Sequence, residues 1–166
     1  MIRRTDTHAD LDAMRAVLER VYPLFDGHAQ LSVTCRADAE DRLHDIGWLP
    51  DGAKASDYTV INPEFRGTVV EELLDKLPFP YGRTRLMRMA PKSCLSIHAD
   101  SSLRYHYAIT TNPDCYIMFK EGDTGTLCHI PADGHLYEMD ARKTHTAINA
   151  SRKERVHLVI CALDRK

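Results

Sequence analysis

The chain has 166 residues, 43% of them hydrophobic and 28% charged, with a formal net charge of −2. That size and composition predict one soluble globular domain able to bury about 70% of its unfolded surface, and the near-neutral charge gives no electrostatic case for nucleic acid or an anionic membrane as partner. No apolar run approaches the ~20 residues of a membrane span, the N-terminus MIRRTDTHADLD has no apolar signal region, and five cysteines without a CxxC read as reduced, core or half-buried thiols in a cytoplasmic protein.

In chain order, Leu11, Met14, Val17, Leu18 and Val21 recur at helical spacing and predict a helix over 8–22, capped by Asp10 and followed by Pro23. Leu31 to Cys35 alternates like a strand. Residues 38–46 predict a short helix that Gly47 ends, 52–57 a loop, and 58–61 a short apolar strand; Trp48 and Tyr58 read as core residues. Pro63 opens a second predicted helix through Leu77, with Val69, Val70, Leu73, Leu74 and Leu77 on one face, stopped by Pro78 and Pro80. After Gly82 the texture changes to short β-type runs at 84–90, 94–98, 103–111, 115–120, 125–130, 135–139, 145–148 and 155–163, separated by turn residues such as Asn112-Pro113-Asp114 and Ala132-Asp133-Gly134. Strands at this spacing predict a sandwich or jelly roll. The expected plan is α+β: one domain over 1–166, with an α-rich N-terminal half (residues 1–82) packed on a jelly-roll core (residues 83–166).

His98-Ala99-Asp100 ends the apolar run 94–97. On an extended strand these two side chains share one face, about 7 Å apart at Cα. Two histidines and a carboxylate can occupy one face of an Fe(II) octahedron and leave the other positions open. His145 opens a later run and supplies the third ligand, while the absence of a neighbouring thiol argues against a structural zinc site. Arg155 follows His145 by ten residues. The runs at 145–148 and 155–163 predict a hairpin around Asn149–Glu154, with Arg155, His157 and Val159 on one face. An arginine turned into an apolar barrel needs an anionic partner, and its fork suits a carboxylate. Each residue also has a plainer reading: His98, His145 and His157 as satisfied histidines, Arg155 paired with Glu154 or Glu138, Arg88 in a surface salt bridge, and 152–155 as a solvated hairpin tip.

Taken together, the stretches RTRLMRMAPKSCLSIHADSS, LRYHYAIT and THTAINASRKERVHLVI, with Pro91, His98, Asp100, Arg104, His106, His145 and Arg155 in order, resemble the aspartyl/asparaginyl β-hydroxylase-like family of Fe(II)/2-oxoglutarate dioxygenases over roughly 60–162. Asp100 makes the chain similar to the branch that keeps the full triad, which includes free-proline cis-hydroxylases. The resemblance implies a double-stranded β-helix, or cupin barrel, and Fe(II), 2-oxoglutarate and O2 as cofactor and co-substrates. It implies His98, Asp100 and His145 as metal ligands and catalytic centre, and Arg155 on the far carboxylate of 2-oxoglutarate. Arg104, His106 and His157 would line the co-substrate pocket. Arg85 or Arg88, which lie on opposite strand faces, and Ser102 are the expected substrate contacts. The implied reaction decarboxylates 2-oxoglutarate to succinate and hydroxylates a C–H bond of a carboxylate-bearing substrate: an amino acid, an amino-acid-like metabolite or a peptidyl Asp or Asn. The chain departs from the animal members in its short length, in Lys92 where glycine is common, and in Ser102-Leu103 before Arg104. Two other readings compete: a cupin metalloenzyme (an isomerase or a dioxygenase without 2-oxoglutarate) using His106, His129, His135 or His157 as ligands, and a non-catalytic barrel that senses a small anion.

Overall fold

The computed structural model describes residues 1–45 and 52–163. Two sheets face each other. The larger has the order β1 (Ile2–His8), β10 (His135–Met139), β7 (Arg104–Thr110), β12 (Arg155–Ala162), β5 (Tyr81–Met89), β2 (Gln30–Ser32). The smaller has the order β6 (Ser93–Cys94), β11 (His145–Asn149), β8 (Cys115–Glu121), β9 (Thr124–Cys128). A two-stranded ribbon, β3 (Thr34–Cys35) with β4 (Val60–Ile61), lies beside them. Two helices, α1 (Leu11–Val21) and α2 (Val69–Asp75), pack on the larger sheet.

Strand alternation divides the larger sheet into two chemistries. On β12, Val156, Leu158 and Ile160 join Leu86, Tyr105, Tyr107 and Ile109 in a core against the α1 residues Met14, Leu18 and Val21 and the α2 residues Val70, Leu73 and Leu74. The opposite face turns toward the smaller sheet, where Met89, Ala108 and Met139 meet Ile117, Phe119 and Ala147. β12 lies between β5 and β7 and is buried along its whole length, which accounts for its nearly unbroken apolar run.

The N-terminal half contributes more to the larger sheet than its helical pattern predicts. Residues 2–8 form the edge strand β1, in register with β10 from Ile2 opposite Met139 to Arg4 opposite Tyr137. Its sequence IRRTDTH has no apolar run because an edge strand needs only one packed face, and charge there discourages pairing with other chains. The predicted helix 8–22 therefore begins at Leu11, where Asp10 accepts a 2.7 Å hydrogen bond from the Ala13 amide.

Two predicted helices are corrected. Residues 38–45 form turns, because the Asp41 carboxylate accepts the Leu43 and His44 amides (both 3.1 Å) and competes with helical bonding; residue 46, Gly47 and Trp48 lie outside the described residues. Tyr58 is buried, its hydroxyl donating to Asp45 O. The helix expected from Pro63 to Leu77 splits. Pro63–Phe65 is a short 3-10 turn, Arg66 is extended, and Gly67 sits at φ +67°. Helix α2 then starts afresh, with Thr68 capping the Val70 amide.

Two glycines separate strain from crowding. At Gly67 a Cβ would meet nothing, but the left-handed φ penalises any other residue; at Gly82 it would overlap the Ala55 carbonyl oxygen. Gly67→Ala should cost about 1 kcal/mol and Gly82→Ala on the order of 3 kcal/mol. Urea unfolding checks the order; equal losses would contradict the close approach at Gly82.

Candidate metal centre and anion pocket

His98 and His145 are brought together by the backbone. They form an isolated antiparallel bridge, His98 N–H donating to His145 O (3.0 Å) and His145 N–H to His98 O (2.8 Å). Such reciprocal partners project side chains to the same face, and the two rings stand 4.4 Å apart, centroid to centroid. The continuous strand expected over 94–98 is corrected: β6 ends at Cys94, and the chain then makes single contacts with β11, Leu95 N–H to Ala147 O (3.0 Å), and with the turn before it, Asp100 N–H to Ala141 O (2.8 Å). Asp100 nonetheless completes the group. One ligand atom from each of His98, Asp100 and His145 lies within 4.8 Å of the others, the only such cluster of His, Cys, Asp or Glu among the described residues.

The donor set is prepared for a metal. His98 Nδ1 lies 2.8 Å from Ser96 O, and His145 Nδ1 2.8 Å from Lys143 O. A carbonyl oxygen only accepts, so both rings carry their proton on Nδ1 and leave the Nε2 lone pair free, the arrangement in which an outer acceptor orients a metal-binding imidazole. Burial also lowers the His145 pKa, which favours the neutral ligand form. Asp100 Oδ2 lies 3.2 Å from Arg104 Nε. Arg104 in turn donates to Ser102 O, Ser102 Oγ and Leu103 O, so Ser102 braces Arg104 and does not line the cavity. Two neutral imidazoles and a carboxylate, with no thiol, suit Fe(II).

These groups open on a cavity with about 570 Å³ of empty space, solvent at its mouth included. Its wall includes His98, Asp100, Arg104, His106, His145 and Arg155, with Arg85 and Arg88 on β5, and apolar side chains such as Met87, Met89, Ile117, Ala147 and Val159. Arg88 is already paired: its guanidinium is 2.7 Å from Glu154 and lies over the rings of Tyr22 and Phe25. His157 lies behind Arg155, outside this cavity.

Arg155 arrives by a route other than the predicted hairpin. β11 pairs with β6 and β8, and β12 with β5 and β7, so the chain crosses from one sheet to the other between Asn149 and Arg155. The crossing is held by Asn149, a residue that sequence reasoning passed over. Its buried amide donates to Met89 O, Ala90 O and Lys153 O, and its carbonyl accepts from Ser151 N–H and Oγ–H. The available signal was a polar residue closing the apolar run 145–148, followed by Ser151. Register on the β7 side shifts between Val156 and His157, a bulge of the kind that re-aims side chains beside active sites.

Arg155 is 5% exposed. Its Nη2 donates to His157 Nδ1 (2.9 Å), Nη1 contacts Met89 Sδ (3.4 Å), and Nε is buried without a partner. No carboxylate lies within ion-pair distance of it among the described residues, and burial pushes its pKa down to about 10. Because His157 Nδ1 accepts from an arginine, the His157 proton is on Nε2. His106 Nδ1 lies 3.4 Å from His157 Nδ1.

Burial, and then the arginine charges, hold His106 and His157 well below the ordinary histidine value of 6.5. The unfolded chain therefore binds more protons than the folded one below about pH 6.5, so the stability is fully present above that value and is lost as pH falls toward the folded values. Urea unfolding between about pH 7 and about pH 5 should show the loss, and His157→Leu should make it shallower by up to ~1.4 kcal/mol per pH unit. Identical slopes would show that His157 is not held neutral.

The profile of the aspartyl/asparaginyl beta-hydroxylase family matches residues 55–164. No curated protein matches the chain. Similar solved structures include AviO1 from Streptomyces viridochromogenes Tue57 (TM-score 0.57, 13% identity, covering 98% of this chain and 89% of that one) and an oxidoreductase of the 2OG-Fe(II) oxygenase family from Burkholderia pseudomallei (0.56, 13%, 92% and 76%). A prolyl-4-hydroxylase from Pseudomonas putida is also similar (0.54, 12%, 99% and 88%). At these identities the likeness is one of fold, and it agrees with the cupin-like fold that the resemblance implies and with the jelly roll expected from the strand pattern. With the matched stretch carrying His98, Asp100, His145 and Arg155, the chain belongs to the aspartyl/asparaginyl β-hydroxylase family.

Proposed function

We propose that this protein is an Fe(II)/2-oxoglutarate-dependent dioxygenase that hydroxylates a C–H bond of an amino acid or amino-acid-like substrate, peptidyl Asp or Asn included. The observation that carries the reading is Arg155: a buried guanidinium with no carboxylate partner, in the same cavity as two histidines and a carboxylate whose free ligand atoms converge. A lone buried charge is costly to keep. An acid that spans from Arg155 to the metal centre removes that cost, and the dicarboxylate 2-oxoglutarate has the required ends.

When bound, iron with 2-oxoglutarate and O2 supplies oxidative decarboxylation of the co-substrate to succinate and CO2, with transfer of one oxygen atom to a C–H bond. The chain's own residues do the rest. His98, Asp100 and His145 would hold the ion, with their imidazole protons directed away to Ser96 O and Lys143 O. Arg104 forms an ion pair with Asp100 and so keeps its carboxyl group charged and oriented. Arg155 receives the far carboxylate, and His157 fixes the plane of its fork. Met87, Met89, Ile117, Ala147 and Val159 give the cavity an apolar wall, which strengthens the charge interactions beside it. The rival histidine-rich sites lose support: among the described residues, no cluster of converging His, Cys, Asp or Glu ligand atoms includes His106, His129, His135 or His157.

Anaerobic titration with Fe(II) and then 2-oxoglutarate should produce a weak visible charge-transfer band. Arg155→Ala should weaken 2-oxoglutarate by on the order of 100-fold, since truncating one partner of a buried charge pair costs about 2–5 kcal/mol. His145→Ala should abolish the band. Iron binding without any band would sink the 2-oxoglutarate reading. Separately, Asp100→Ala should abolish hydroxylation; full retained turnover would remove Asp100 from the metal site.

A further inference from the structure

Sulfur stands against positive charge on the inner face of β5. Met87 and Met89 lie two residues apart on that strand, and both line the cavity. Arg85 Nε contacts Met87 Sδ at 3.1 Å, and Arg155 Nη1 contacts Met89 Sδ at 3.4 Å. Register fixes the second contact, because Arg155 and Met89 are direct cross-strand partners in the β12–β5 pairing. A thioether is a weak acceptor. The Arg155 guanidinium therefore gains little from it, and its Nε remains buried without a partner.

The Met89 sulfur is also within reach of small solutes. Met89 is 7% exposed and lines a cavity that is open at its mouth, whereas Met14 is fully buried in the core between α1 and the larger sheet. Oxidation turns the flexible apolar thioether into a polar sulfoxide, whose oxygen is a far better acceptor than sulfur. Made at Met89, that oxygen forms beside the donors of Arg155. It answers the guanidinium from within the chain, at the place where a far carboxylate has to dock.

We propose that Met89 is a modification site for a peroxide, and that its sulfoxide occupies Arg155 and so closes the cavity to 2-oxoglutarate. Naming the excluded acid as 2-oxoglutarate rests on the oxygenase reading; the modification and its partner do not. In the step, a sulfur lone pair attacks one oxygen of hydrogen peroxide. The S–O bond forms as the O–O bond breaks, and the departing hydroxide takes the proton of the transferred oxygen and leaves as water. Sulfur loses two electrons and the peroxide gains them. The Arg155 N–H groups are placed to donate to the departing hydroxide and then to the new oxygen. To bind afterwards, a carboxylate has to break a hydrogen bond to a charged group, which costs on the order of 10-fold or more in affinity. A peroxide thereby acts at the residue that anchors the co-substrate, without touching the metal ligands.

The test exposes the full chain to hydrogen peroxide, stripped of metal so that no iron-derived radical forms, and then removes the peroxide. Peptide masses should show an added oxygen at Met89 while Met14 stays reduced. After anaerobic loading with Fe(II), the charge-transfer band should require about 10-fold more 2-oxoglutarate than in the untreated protein. Met87→Leu should keep that loss. Met89→Leu, a swap of similar volume, should respond to peroxide by less than about 2-fold relative to its own untreated form. Met89→Gln, whose amide oxygen can stand where the sulfoxide oxygen does, should lower the affinity without peroxide. Urea unfolding supplies an arm that needs no co-substrate: at equal Met89 oxidation, the midpoint should fall less in the parent than in Arg155→Leu, where the new oxygen has lost its donor. Met89 left reduced under conditions that oxidise Met87, an oxidised Met89 with unchanged 2-oxoglutarate affinity, or equal midpoint losses in the parent and Arg155→Leu would each overturn the proposal. An untreated protein that gives no band, with the midpoint difference intact, would instead overturn the oxygenase reading and leave the modification site standing.

Discussion

The structure is organised around positive charge buried between two sheets. Arg85, Arg104 and Arg155 lie on the inner face of three adjacent central strands, each at most 9% exposed, with Asp100 as their nearby carboxylate. Such a face cannot hold a barrel together; removed from water without partners, these groups oppose folding. The fold answers with the other face of the same strands. Period-two alternation sends Leu86, Tyr105, Tyr107, Leu158 and Ile160 to the opposite side, where α1 and α2 cover them in the larger apolar core. The N-terminal elements therefore supply the apolar burial that the site-bearing face gives up, and that surplus is what allows the cavity to stay polar. Trimming α1 or α2 would expose no ligand, yet it would remove the compensation on which the arginine layer depends.

The second constraint is that the two halves of the site come from different sheets. The candidate metal ligands lie on or beside the smaller sheet: His145 on β11, His98 bridged to it, and Asp100 tied to Ala141. The arginines lie on the larger one. Facing sheets stand about 10 Å apart, so a small acid can touch both, and the closeness of His145 and Arg155 in sequence reflects one crossing of that gap. Asn149 makes the crossing rigid by tying Met89, Ala90 and Lys153 to a single buried amide. A flexible connection would leave the distance between metal and fork undetermined, and effective catalysis depends on holding such distances closely.

How much of this was legible follows from the range of the interactions. Local pattern revealed the strand-rich half, helix α1 and the inward face shared by Arg155, His157 and Val159, since each depends on a period of 3.6 or 2 over a few turns. His98, Asp100 and His145 were legible as a constellation of ligand types. Which strands pair was not legible: the hairpin between 145–148 and 155–163 was the simplest local solution, and the chain adopts a crossover because β12 completes a sheet with β5 and β7. Strand β1 was hidden by its polar edge composition. The break at Gly67 was visible as a glycine but outweighed by the apolar spacing after it. Between Arg85 and Arg88 the alternation left the choice open, and only the long-range contact of Arg88 with Glu154 shows which of the two has its charge already satisfied.

The places where local rules fail coincide with the site. The predicted strand through residue 98 stops at Cys94, and Leu95 and Ile97 are exposed beside the candidate metal ligands. The bulge at Val156 and His157 interrupts the best-buried strand of the molecule next to Arg155. His157 keeps a ring nitrogen buried without a partner in order to present the other to Arg155. None of these features stabilises the fold, and each sacrifices a ladder bond, an apolar contact or a hydrogen bond. A sequence shaped for stability alone would discard them, so their concentration around one cavity is itself an argument that the cavity is what the fold exists to hold.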